Sequence, residues 1–91
     1  MYSKTVKVRN ASGLHARPAS QFVAKAKTFT SKVSVKNLDK GNEAPNAKSI
    51  ILLMSLAVAC DNEIEISADG PDEIEAVDTL VELVESGFGE E

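Results

Sequence analysis

A single cysteine, Cys60, and a single histidine, His15, occur among the 91 residues. One cysteine rules out an internal disulfide, and after Ala57, Val58 and Ala59 it reads as a small buried residue. Without a histidine pair or a cysteine pair nothing has metal-ligand spacing, and the acids after Asp69-Gly70-Pro71 do not have the spacing of a calcium loop. No metal or other cofactor is expected. The chain also lacks a P-loop and a glycine-rich nucleotide fingerprint, which excludes autonomous nucleotide chemistry. Three phenylalanines and one tyrosine at core spacing, with a net charge of −4, offer neither the stacking platforms nor the basic surface that nucleic acid requires. There is no long apolar run. Ile50 to Ala59 is too short and interrupted to cross a membrane, and Met1-Tyr2-Ser3-Lys4 leads into alternation, so neither membrane insertion nor a signal peptide is expected. A cytoplasmic protein of one domain, residues 1–91, follows, with a modest core and short loops. The last thirty residues contain no lysine or arginine, whereas Lys4, Lys7, Arg9, Arg17, Lys25, Lys27, Lys32 and Lys36 fall in the first forty, which suggests a two-sided charge distribution.

What is present reads as alternating short elements. Tyr2, Val6 and Val8 share one parity against Ser3, Thr5, Lys7 and Arg9, a strand with one wet face. Asn10-Ala11-Ser12-Gly13 breaks it, and Ala19, Phe22, Val23 and Ala26 then mark an amphipathic helix from about Ala16 to Lys27 or Thr28. A second strand runs from Val33 to about Leu38. Asp39-Lys40-Gly41-Asn42 suits a hairpin turn into a brief strand at Glu43-Ala44, cut short by Pro45. Asn46 or Ser49 can cap a short helix from Ile50 to Leu56, and Glu63 to Ala68 alternates as the last strand. Asp69-Gly70-Pro71-Asp72-Glu73 opens a final helix whose stripe is Ile74, Val77, Leu80, Val81 and Val84, with Gly87 as its stop and Phe88 folded over the end. Strands with one apolar face and helices with one apolar stripe satisfy each other as an α+β fold in two layers, a four-stranded sheet with three helices on one side.

The chemistry gathers at Gly13-Leu14-His15-Ala16-Arg17-Pro18-Ala19. Pro18 is tolerated in the first helical turn, where its missing amide would have no intrahelical partner, and this places His15 at or beside the N-cap. First-turn amides, the positive end of the helix dipole and the Arg17 guanidinium then converge on the imidazole, a favourable place for a phosphate. The ring can also be the nucleophile that picks the phosphate up. Each residue has a plain role beside this one: His15 as a cap, Arg17 as a solvated charge, Pro18 as a helix start.

That seven-residue run resembles the active-site signature of HPr, the histidine-containing phosphocarrier family of the bacterial phosphoenolpyruvate:sugar phosphotransferase system. Lys48-Ser49-Ile50 with Met54-Ser55-Leu56 is similar to the same family's regulatory-serine segment, and the match runs in order over essentially the whole chain. The resemblance implies an open-faced antiparallel β-sandwich of order βαββαβα. It further implies that His15 is phosphorylated at Nδ1 by enzyme I and passes the group to enzyme IIA domains, with Arg17, the Ala16 and Arg17 amides and Ser12 stabilising the phosphoryl group. On this reading the chain is a carrier and not an autonomous enzyme. Ser49 corresponds to the serine modified by HPr kinase/phosphorylase, whose phosphate would hinder enzyme I and create a contact for a transcriptional regulator. Ile50, Ile51 and Met54 exceed what one face of a short helix buries and match the family's partner surface, with Phe22, Ala19 and Ala24 as further contributors. A monomer is expected. The chain departs from the family's frequent pattern at Ile51-Leu52, at Ala57 and in a longer stretch through Lys40 to Pro45. A Leu-rich helix and Glu85-Ser86-Gly87-Phe88 also resemble the nitrogen-related HPr paralogue, a regulatory relay with the same His15 chemistry; a binding module without phosphotransfer is the alternative from another class.

Overall fold

The structure, a computed structural model, describes residues 1–89. Strand β1 (Tyr2–Lys7) is followed by α1 (Ala16–Ala26), β2 (Lys32–Asn37), β3 (Glu43–Ala44), α2 (Ile50–Met54), β4 (Glu63–Asp69) and α3 (Glu73–Glu85), and a 3-10 turn over Gly87–Gly89 comes last. The strands form one open sheet in the order β1-β4-β2-β3, every neighbouring pair antiparallel. Helix α3 packs across β1, β4 and β2, and α1 packs against both α2 and α3. The expected order βαββαβα holds.

Period-two alternation explains the sheet. Val6 faces Ile64, Val35 faces Ile66 and Val33 faces Ala68, and all six are buried beneath the helices. On the open face Lys7 stands opposite Glu63, Lys36 opposite Glu65 and Lys32 opposite Asp69. The acidic strand β4 therefore lies between basic β1 and β2, so on the sheet the charges interleave where the sequence suggested two separate sides. On the helices the separation persists: α3 carries Glu73, Glu75, Asp78, Glu82 and Glu85 and no basic residue. Lys4 has the core parity but sits on edge strand β1, where its Nζ reaches Asp78 Oδ1 at 2.9 Å. Lys4 holds the Asp78 carboxyl below the usual carboxylate range.

Two expectations are corrected. Ile74 is 58% exposed, because about 100° per residue puts it on the margin of a stripe made by Ala76, Val77, Leu80, Val81 and Val84. Cys60 is exposed and not buried. Helix α2 ends at Met54, only Leu56 and Val58 turn inward between it and β4, and the turn from Ala59 to Asn62, with Asp61 at φ 73°, takes Cys60 out of that alternation. Its Sγ lies 3.5 Å from the Arg9 carbonyl. As expected, α3 stops before Gly87, at φ 72°, and Phe88 is buried over its end.

The loop that leads into α1 is held by close backbone contact. Gly13, at φ 63°, lies so near the segment after α2 that an added Cβ would stand 2.2 Å from the Val58 carbonyl oxygen and 2.8 Å from Ala59 Cα. The Leu14 amide donates to Val58 O at 3.1 Å, and Asn10 Nδ2 donates to Gly13 O at 2.9 Å. A second tie joins the α1–β2 loop to α3. Asp72, the N-cap position of α3, turns its carboxylate away from its own helix and accepts the Thr30 amide through Oδ2 and the Ser31 amide through Oδ1, both at 2.9 Å, together with the Ser31 hydroxyl. The Ser31 hydroxyl and then the Thr30 amide hold the Asp72 carboxyl below its ordinary value.

Gly13→Ala should combine the left-handed backbone penalty with a forced shift of Val58, on the order of 2–4 kcal/mol of lost stability in urea denaturation. Gly41→Ala is the comparison: Gly41 has φ 77° but nothing within 4 Å, so this variant should lose only about 1–2 kcal/mol. For Asp72 the folded carboxyl is the more acidic, so its contribution is present above the unfolded value of about 3.9 and is lost as pH falls through the lower folded value. Asp72→Ala should therefore lower Tm at neutral pH, and thermal melts of variant and wild type should draw together in strong acid.

Candidate functional site

His15 occupies the N-cap of α1 with extended backbone, φ −126° and ψ 153°, and its side chain makes no capping hydrogen bond. In extended backbone successive side chains point to opposite sides. Leu14 is fully buried, and His15 is accordingly exposed. Ala16 begins the helix at φ 49°, in the left-handed region. A left-handed residue followed by helical Arg17 turns consecutive amides toward one point, the concave arrangement that receives anions. Pro18 contributes no amide, so the donors of this first turn are those of Ala16 and Arg17. Pro18 and Ala19 are buried and fix the turn to the core, leaving Arg17 exposed beside the histidine in sequence. Among the described residues Arg17 makes no ion pair. Ser12 is exposed in the turn that precedes Gly13.

Ser49 is the N-cap of α2, its Oγ accepting the Leu52 amide at 3.4 Å. Asn46, the other capping candidate, instead closes the preceding turn by accepting the Lys48 amide at 3.1 Å. Lys48 Nζ donates to the Phe29 carbonyl at 2.7 Å and so ties the start of α2 to the end of the α1 region. A helix of five residues cannot bury six apolar side chains. Leu53 and Leu56 are fully enclosed, while Ile50 is 37%, Ile51 78%, Leu52 39% and Met54 37% exposed. Ile50, Ile51 and Met54 thus lie on the surface as the composition indicated; Leu52 joins them, a member the sequence reading missed because one short turn packs on only one side. Phe22 and Ala19 are fully buried, which removes them from the surface patch and places them in the core, whereas Ala24 is exposed. Four residues after Met54, Val58 binds the Leu14 amide, so the end of α2 lies within about 14 Å along the chain of the contact that carries His15.

The backing of the His15 loop is the other feature that pattern reading did not find. Its signal was Gly13, whose need for space becomes legible only once Val58 is seen beside it. No group of three or more histidine, cysteine, aspartate or glutamate side chains suited to a metal occurs among the described residues, and no helix there is long and apolar enough to cross a membrane.

Residues 2–86 match the family model of the PTS HPr component phosphorylation site. The phosphocarrier protein HPr of Haemophilus influenzae is 45% identical over 84 residues, covering 92% of this chain and 95% of that protein. The multiphosphoryl transfer protein of Vibrio cholerae is 37% identical over 89 residues; the match takes in 98% of this chain but spans only 22% of that longer protein. The crystal structure of HPr-C-His from Thermoanaerobacter tengcongensis has a TM-score of 0.92 and 46% identity, covering 100% of this chain and 99% of the other. With His15 at the head of α1, Arg17 two residues on and the open four-stranded sheet in place, the chain belongs to the HPr family, the phosphocarrier component of the phosphotransferase system.

Proposed function

We propose that this chain carries phosphoryl groups on His15, as one HPr domain over residues 1–91, monomeric and cytoplasmic. The observation that carries the reading is an exposed imidazole at the head of α1 that its own helix does not use as a cap. The donor is phosphorylated enzyme I and the acceptors are enzyme IIA domains. In the first transfer the lone pair of Nδ1 attacks phosphorus while the bond to the donor's leaving atom breaks; in the second a nucleophile of the acceptor attacks phosphorus and the electron pair of the N–P bond returns to Nδ1. The chain ends as it began. Arg17 offsets charge on the equatorial oxygens during each in-line step, and the Ala16 and Arg17 amides with the Ser12 hydroxyl bind the same oxygens. Ile50, Ile51 and Met54 form the docking patch, joined by Leu52.

Ser49 is the regulatory position, recognised by a serine kinase of the HPr kinase/phosphorylase type. A phosphate at the α2 N-cap is compatible with the fold, and its charge beside the patch would hinder enzyme I and offer a contact to a transcriptional regulator.

Incubation with enzyme I and phosphoenolpyruvate should add one phosphoryl mass to the wild type and none to His15→Ala, as read by intact mass under neutral to basic conditions. No gain in the wild type would leave the binding-module reading. Arg17→Ala should slow the transfer by about 100-fold in rapid-quench kinetics while leaving Tm nearly unchanged, because the side chain is exposed and unpaired among the described residues.

A further inference from the structure

Strand β2 places Val33, Val35 and Asn37 on the core side, and all three are buried. Asn37 is fully enclosed opposite Ile64, a position where packing alone calls for an aliphatic side chain and a buried amide is costly unless bonded. The two ends of its amide join two segments. Nδ2 donates to the Leu56 carbonyl at 3.2 Å and to Asn62 Oδ1 at 3.4 Å, and Oδ1 accepts the Asp39 amide at 3.1 Å and the Lys40 amide at 3.3 Å. The turn that Asn37 closes sends two more donors to the same place: Asn42 Nδ2 to Leu56 O at 3.4 Å and Lys40 Nζ to Ala57 O at 2.8 Å. Asn62 completes the set by accepting the Ala59 amide at 2.9 Å.

The segment held in this way, residues 56–59, lies between α2 and β4 and has no ladder of its own. Ala57 adopts φ 52°, a conformation that an alanine keeps only when its surroundings impose it. Between the carbonyls taken by Asn37, Asn42 and Lys40 and the amide taken by Asn62, the Val58 carbonyl is directed to Leu14, and the same two residues, Val58 and Ala59, meet Gly13. The segment is a strut with the β2–β3 turn on one side and the His15 loop on the other.

We propose that Asn37 is a positioning residue for phosphoryl transfer, acting through the backbone of residues 56–59 to hold Gly13 and Leu14, and with them the His15 backbone, in register with the first turn of α1. This rests on His15 being the phosphoryl acceptor. Loss of the strut leaves docking on α2 in place and misplaces the imidazole, so it acts on turnover and not on partner affinity.

Asn37→Val replaces the amide with an apolar side chain of similar size that cannot donate to Leu56, and Val33→Ala on the same strand is the control for core damage alone. With each variant as the substrate of enzyme I and phosphoenolpyruvate, Asn37→Val should lower kcat about tenfold with KM within about twofold, and should speed hydrogen exchange at the Leu14 amide beyond that in Val33→Ala. Should Asn37→Val not fold, Lys40→Met decides: Lys40 is exposed, and loss of its bond to Ala57 should lower kcat about threefold at unchanged KM. A kcat equal to that of wild type, or a fall no greater than in Val33→Ala with unaltered Leu14 exchange, overturns the positioning role. Absence of phosphorylation in the wild type overturns the carrier reading beneath it, and is told apart because no variant is then needed to see it.

Discussion

The approach of Gly13 to the backbone of Val58 and Ala59 is the constraint on which the site depends. A side chain at position 13 would occupy the space of a carbonyl oxygen, so the loop can close on the strut only with glycine there. Closure carries Leu14 into the core, where its full burial contributes roughly 1.5–3 kcal/mol. With the backbone extended at the next residue, an inward Leu14 obliges His15 to face out. The exposure of the histidine is thus enforced by the burial of its neighbour. Ala16 then has to turn sharply to enter the helix, which accounts for its left-handed φ of 49° at the point where two amides converge.

Charge is arranged at two scales. Across the open face of the sheet lysines and acids alternate from strand to strand, because β4 inserts between β1 and β2. The helices do the reverse: every charged side chain of α1 is basic and every one of α3 is acidic. Interleaved charges leave little field at a distance, whereas segregated ones orient an approaching molecule. The helical side, with its exposed apolar residues on α2, therefore fits the proposed docking better than the sheet face, where charges interleave.

Much of this was legible in the order of residues. Alternation in Tyr2–Lys7, Lys32–Asn37 and Glu63–Asp69 marked the sheet, and the histidine-arginine-proline run marked the helix start, because both depend on local periodicity and capping. What escaped depends on partners distant in sequence. Cys60 reads as buried because the small apolar residues Ala57, Val58 and Ala59 precede it, and only the turn through Asp61 sends it outward. Ile74 matched the α3 stripe in spacing but not in the helix's seat on the sheet. Asn37 falls inside the second strand by pattern, and no pattern reveals that a carbonyl nineteen residues later meets it. Charge separation along the chain likewise did not foretell the interleaved sheet, since strand order is a property of topology and not of local pattern.

A phosphoryl carrier works under a condition that an ordinary binding site does not. Any group that stabilises the phosphorylated state more than the transition states on either side of it slows departure as much as it favours arrival. A deep cage of buried cations would therefore defeat the proposed reaction. The site on this chain has one exposed guanidinium, a pair of amides fixed by the turn at Ala16, and an imidazole on the outer surface. In the proposed reaction, amides held by the backbone would need no reorganisation as charge develops and would favour the transition state in both directions, and Arg17, on a solvated stem, would follow the phosphoryl group without retaining it. Rigidity is needed instead beneath the histidine, where the strut and Gly13 set the angle from which the ring meets either partner. The division between a fixed floor and a sparse surface is what lets one small domain face donor and acceptor with the same atoms.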